Sequence, residues 1–166
     1  MTDENIPLYD IEKVTLRRIT RRNYRKIIEL RVKPEQKDLI ASNAVSMTDA
    51  YFFREAWMRA IYLGEKPIGF IMLGINSLKY KFITHFKPSC FIWRFMISDE
   101  FQEKGYGKRA MRLLINHIKD KYYANELIAY VLPQNKNALE FYKTLGFKIT
   151  GKRLQVGDLE LQLELE

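Results

Sequence analysis

The chain has 166 residues, 47% hydrophobic and 29% charged, with a net charge of +8, which is the make-up of one globular domain able to bury a core without cross-links. A single cysteine, Cys90, excludes an intramolecular disulfide framework and fits a reducing compartment. The acidic N-terminal MTDENIPLYD has no apolar h-region, and the longest apolar runs are too short and glycine-broken to span a bilayer, so no membrane partner and a cytoplasmic location are expected.

In chain order, Val14–Ile19 reads as a first strand. Thr20 then caps a helix from about Arg21 to Arg31, with Tyr24, Ile27, Ile28 and Leu30 mostly on one face. Pro34 opens a second helix burying Leu39, Ile40 and Ala44, and Ser46–Phe53 reads as a further short helix. Met58–Leu63 and Ile68–Ile75 form a hairpin around the turn Gly64-Glu65-Lys66-Pro67, and the polar, basic stretch Asn76–Pro88 is expected to be a loop. Cys90–Ile97 is the most apolar segment, as expected of a central strand covered on both faces. A helix follows over Tyr106–Tyr122, with Ala110, Leu113, Leu114, His117 and Ile118 as its core stripe. Leu127–Leu132 is a further buried strand, Asn135 caps the last helix, and Gly146 suits the residue just past its end. Ile149–Arg153 and Leu159–Leu165 close the chain as an antiparallel pair around Gly157-Asp158. The order β-α-α-β-β-β-α-β-α-β-β describes a single mixed α/β domain over residues 1–166.

The charge is unevenly placed. Ten Lys/Arg lie between Lys13 and Lys37, in and around an Arg17–Lys26 cluster, with only Glu12, Glu29 and Glu35 to balance them. Such a surface serves anionic ligands or nucleic acid as readily as it forms a solvated helix face.

Two stretches carry chemistry. In Gln102-Glu103-Lys104-Gly105-Tyr106-Gly107 two glycines stand where a strand gives way to a helix, flanked by Lys104, Lys108 and Arg109. Free N–H groups and the positive end of the helix dipole favour an anion there, and a pyrophosphate could accept several bonds; a glycine turn kept for packing alone fits the same letters. No Gly-Lys-Ser/Thr follows and the third glycine of a dinucleotide fingerprint is replaced by Ala110, so neither of those phosphate loops is present. In NKNALEFYKTLGF, residues 135–147, Ala138, Phe141 and Leu145 share a face that reads as core. Tyr142, one residue round the helix, could stand at the edge of that face; a tyrosine there is more often packing, but its phenol is also a suitable proton donor to a leaving thiolate. His85 and His117 are too few and too far apart for a metal site, and Cys90 has no base beside it.

These two motifs, in this order, resemble the GCN5-related N-acetyltransferase (GNAT) family. Its cofactor signature is matched by Gln102, Gly105 and Gly107, and its later signature by Asn135, Ala138, Phe141, Tyr142, Leu145, Gly146 and Phe147. The resemblance is close over 90–149 and implies a mostly antiparallel sheet flanked by helices. It implies acetyl-CoA as co-substrate and no metal. Phe95, Met96 and Ile97 would line the pantetheine and acetyl group, and Gln102, Glu103, Lys104, Gly105, Tyr106, Gly107 and Lys108 would hold the pyrophosphate. Asn135 would contact the pantetheine and Tyr142 would protonate the CoA thiolate in a direct transfer without an acyl-enzyme.

Residues 1–57 would then form the acceptor side. There Leu30-Arg31-Val32, Gln36, Leu39–Asn43 and Ser46, with Trp93–Ile97 later, look like the bacterial spermine/spermidine N-acetyltransferases. The expected acceptor is therefore a small primary amine, a polyamine or diamine, and Glu29, Glu35, Asp38, Asp49 and Glu55 with Tyr51, Phe52 and Trp57 are the candidates for its site. A protein or peptide amine is the alternative acceptor, and a CoA-sensing or nucleic-acid-binding module the alternative class, disfavoured for want of an RNA-binding aromatic signature. The leucine-rich final strand leaves a homodimer open through a sheet edge.

Overall fold

A computed structural model describes residues 13–75, 89–122, 124–154 and 156–165. The expected Asn76–Pro88 loop, His85 and the acidic N-terminus lie outside them. The strands are β1 (Val14–Arg17), β2 (Ala56–Leu63), β3 (Lys66–Ile75), β4 (Ser89–Ile97), β5 (Glu126–Val131), β6 (Lys148–Arg153) and β7 (Leu159–Glu164). The helices are α1 (Tyr24–Ile28), α2 (Asn43–Phe52), α3 (Tyr106–Tyr122) and α4 (Lys136–Thr144). The expected element order holds.

One seven-stranded sheet runs β1-β2-β3-β4-β5-β7-β6, and every neighbouring pair is antiparallel except β4 with β5. The alternation of strand residues divides the core in two. Ile61, Ile71, Leu73 and Ile92 face Met111, Leu114 and Ile118 of α3, while Ala60, Phe70, Met72 and Met96 face Ile27 of α1. Buried on both sides, β3 carries an unbroken apolar run from Ile68 to Ile75 with no polar alternation. Along α3, Met111 takes the core position expected of Leu113, which is 38% exposed.

The N-terminal helices depart most from the expected spans. Thr20 does start a turn, its carbonyl accepting from Asn23 and Tyr24 N–H, while the Asn23 side chain accepts from Thr20 N–H at 2.7 Å. Helix α1 then lasts only five residues, because the Arg31 guanidinium caps the carbonyls of Ile28 and Leu30. Pro34 opens a single 310 turn, not a helix. Ser42 caps α2 by accepting from Val45 N–H, so the short helix expected from Ser46 is the rear of a ten-residue one. Its buried residues are Asn43 and Ser46, whereas Ala44, expected in the core, is exposed. The β2–β3 turn is two residues long, Gly64-Glu65, and Pro67 lies inside β3 opposite Tyr62.

Candidate functional site

The site arises where the sheet fails to close. Strands β4 and β5 pair in parallel only from Ser89–Glu126 to Ile92–Ala129. Beyond that point β4 has a bulge against β3: Leu73 pairs Ile92 and Met72 pairs Arg94, leaving Trp93 as the extra residue. A bulge bends its strand, and the two strands diverge around a cleft of about 1310 Å³, with Trp93–Ile97 on one wall and Tyr130–Leu132 on the other. Backbone groups released from the ladder on these walls need partners.

The end of β4 is tied down before the glycine turn. Ser98 N–H donates to Ile68 O at 2.7 Å and Asp99 N–H to Arg31 O at 2.9 Å. The Gln102 amide donates to Ile97 O at 2.9 Å and to Gln36 Oε1 at 2.7 Å, joining the turn to the end of β4 and to the 310 turn after Pro34. Glu103 (φ 62°) and Gly105 (φ 82°) are left-handed, a conformation that costs most residues but not glycine. Arg109 N–H to Gly105 O begins the helical ladder, so the N–H groups of Tyr106, Gly107 and Lys108 have no acceptor within α3.

The two glycines have different reasons. Gly105 is required by its φ, since a Cβ there would meet nothing within 4 Å. At Gly107 a Cβ would stand 3.2 Å from the Phe141 ring, which itself stacks on Phe95 with centroids 5.3 Å apart. Phe141 is therefore the seam between the glycine turn, β4 and α4; it packs against the core, as expected, and also lines the cleft.

Phe95, Met96, Ile97, Gln102, Glu103, Gly105, Gly107, Lys108, Asn135 and Tyr142 all line this one cleft. Lys104 and Tyr106 turn away: the Lys104 ammonium donates to Glu100 O at 2.6 Å, and Tyr106 packs against Phe101 on the core. Asn135 Oδ1 accepts from Ala138 N–H at 3.2 Å, capping α4 as expected. Tyr142, expected at the edge of its helix face, is the buried residue of α4, 7% exposed and edge-on to Phe147 at 5.1 Å. Burial pushes its phenol far above the ordinary tyrosine range, so it keeps its proton at neutral pH.

The acceptor-side candidates scatter. Glu35 and Asp38 stand exposed in the cleft lining. Asp49 approaches Arg94 Nη2 at 3.6 Å, and Arg94, which lines the cleft, has its basicity lowered by burial against the opposing pull of Asp49. Tyr51 and Phe52 are 84% and 71% exposed and outside the lining. Trp57 lies on the opposite face of the sheet, stacked on His117 at 4.6 Å with Arg59 over it. Glu29 borders a separate groove between α1 and the β2–β3 turn, and Glu55 contributes its carbonyl to Ile75 N–H. Arg17 leaves the basic cluster to grip Glu65 with two hydrogen bonds of 2.9 Å. Cys90 is buried and its thiol pushed up to about 11 by desolvation, as a packing residue should be.

Sequence reasoning missed Arg94 as a cleft charge and Asp158 as a cleft carboxylate. Asp158 reads in sequence as half of a hairpin turn, and only the pairing of β7 beside β5 brings it to the cleft.

A family model described as the acetyltransferase (GNAT) family matches residues 14–147. The spermine/spermidine N(1)-acetyltransferase of Bacillus subtilis is 24% identical over 144 residues, covering 84% of this chain and 90% of that one. Among solved structures, spermidine N-acetyltransferase from Vibrio cholerae, in complex with CoA and spermine, superposes with a TM-score of 0.71 at 16% identity over 93% of this chain and 96% of that chain. The PaiA N-acetyltransferase of Thermoplasma acidophilum, in complex with coenzyme A, gives 0.64 at 19% identity over 92% and 99%.

Proposed function

The chain belongs to the acetyltransferase (GNAT) family and is an N-acetyltransferase; from that premise we propose that it transfers acetyl from acetyl-CoA directly to a primary amine of a small molecule, a polyamine or diamine. The observation that carries this reading is the convergence, in one cleft, of a glycine turn opening a seventeen-residue helix and a buried, protonated Tyr142.

The chain's own residues fit acetyl-CoA. The N–H groups at the start of α3 and the Lys108 ammonium favour the pyrophosphate, and the left-handed backbone at Gly105 exposes them without a side chain in the way. The diverged edge of β4 offers main-chain partners to the pantetheine and acetyl carbonyl, and the Nδ2 donors of Asn135 are left over from its capping bond. When bound, acetyl-CoA supplies the acetyl group as an activated thioester. Tyr142 Oη holds the proton that the departing sulfur needs, which supports its role as general acid.

The polyamine preference is supported by the names of the relatives and by cleft carboxylates at Glu35, Asp38 and Asp158. Among the described residues no helix is long and apolar enough to cross a membrane. An assay of CoA release over polyamines, diamines, aminoglycosides and peptides tests the reading. Highest kcat/KM on a polyamine or diamine is expected; preference for a peptide amine would replace that acceptor.

A further inference from the structure

Five carboxylates line the cleft: Glu35, Asp38, Glu103, Glu140 and Asp158. The first four are exposed, and two of those are already paired, Glu103 with Lys33 and Glu140 with Lys143, each at 3.2 Å. Asp158 is different. It is half-buried, its Oδ1 is shielded from solvent without a hydrogen-bond partner, and no described residue pairs with its charge.

The fold fixes where this carboxylate stands. Leu159, the first residue of β7, pairs with Val131 at the end of β5, so Asp158 lies one step further, beside the mouth of the β4–β5 opening. The turn beneath it is closed by Leu154 N–H to Asp158 O at 3.0 Å and Gly157 N–H to Leu154 O at 2.8 Å, with Gly157 at φ 96°. The side chain is therefore presented by a hydrogen-bonded turn at the edge of a paired strand. One oxygen of this carboxylate has hydrogen-bonding capacity that the described residues leave unfilled, which a cation brought to the cleft can take up.

We propose that Asp158 is the carboxylate that receives a non-reacting ammonium of the acceptor, making it a specificity-determining residue for amines with a second cationic nitrogen. The assignment rests on the amine-transfer reading above. A nitrogen that attacks a thioester must be unprotonated, so a fixed anion beside the cleft suits a second nitrogen that stays charged. Glu35 and Asp38, exposed and hydrated, discriminate less strongly.

The test compares the wild type with Asp158→Asn, using spermidine and the monoamine hexylamine as acceptors. Spermidine binding to the CoA-loaded protein is followed by calorimetry. In the variant the spermidine KM and Kd should rise about ten-fold or more, the size of a lost charge-assisted hydrogen bond. Its kcat, its KM for hexylamine, its acetyl-CoA affinity and its thermal midpoint should stay near wild type, and Asp158→Glu should recover part of the spermidine affinity. An active wild type whose Asp158→Asn variant keeps its spermidine KM and Kd overturns this assignment alone. So does an equal rise in KM for both amines. A wild type that acetylates no amine overturns the transfer reading and this assignment with it.

Discussion

Along β4, the glycine turn, α3 and α4, the cleft wall is built from regular elements whose positions follow from strand pairing and helix capping. Across from it, the α1–α2 side is assembled from a five-residue helix, a 310 turn and a helix whose buried residues are Asn43 and Ser46. The first wall is held by apolar packing, as in the Phe95–Phe141 stack against Gly107. The second packs Ile27 into a cluster with Phe70 and Met72 but depends in addition on individual polar bonds, chiefly Asn43 Nδ2 to Ile27 O at 2.8 Å and the Gln102 amide to Gln36 Oε1 at 2.7 Å. A wall set by packing alone keeps its shape when a surface residue changes, whereas a wall that also depends on single bonds can be re-cut by one substitution. That difference would suit the cofactor and acceptor sides proposed above.

The sharpest way to separate the two walls is Tyr142→Phe, which removes the proton and leaves the packing. It should lower kcat about 100-fold while acetyl-CoA affinity and thermal midpoint hold; unchanged turnover would take Tyr142 out of the mechanism. Next, Asn43→Ala removes the shorter of two hydrogen bonds to the buried Ile27 carbonyl, leaving Leu30 N–H at 3.3 Å, at a cost of about 1 kcal/mol seen in denaturant titration. Its activity loss should fall on the acceptor KM; an equal loss in acetyl-CoA affinity would show that the walls are not independent. Gly105→Val forces a β-branched residue to φ 82°, a strain of about 1–2 kcal/mol. Calorimetry should show acetyl-CoA bound up to about ten-fold more weakly, with the acceptor KM unchanged.

The smallest effect lies away from the cleft, at His117 between Trp57 and Tyr122. Burial first, then Arg59 and Lys121, hold its pKa below the ordinary 6.5, and its Nε2 is buried without a partner. The folded state thus resists protonation more than the unfolded chain. Its contribution to stability is whole above pH 6.5 and is lost as pH falls from there through the depressed folded value. The thermal midpoint should drop between pH 7.5 and 5.5, and His117→Gln should flatten that slope; the same slope in the variant would assign it elsewhere.

The same contrast governs what could be read from sequence. Strand β4, helix α3 and the Asn135 cap follow from an apolar run, a 3.6-residue stripe and a capping residue, all local signals. On the other wall the deciding interactions are long-range. That Arg31 would end α1, that Asn43 would turn inward, or that Trp57 would face α3 depends on partners far along the chain, and periodicity carries no trace of them. Tyr142 shows the limit within the legible half, because one step round the helix separates edge from core and only the packing of Phe147 decides it. The opening between β4 and β5 was equally hidden, since a bulge at Trp93 leaves no mark in composition.

Titration of acetyl-CoA into the protein in a calorimeter, with desulfo-CoA and free adenosine diphosphate as competitors, tests the central claim most directly. One saturable site per chain, competed by both and weakened by Gly105→Val, is the predicted result. No binding at millimolar acetyl-CoA, or binding indifferent to Gly105→Val, would contradict the assignment of this cleft.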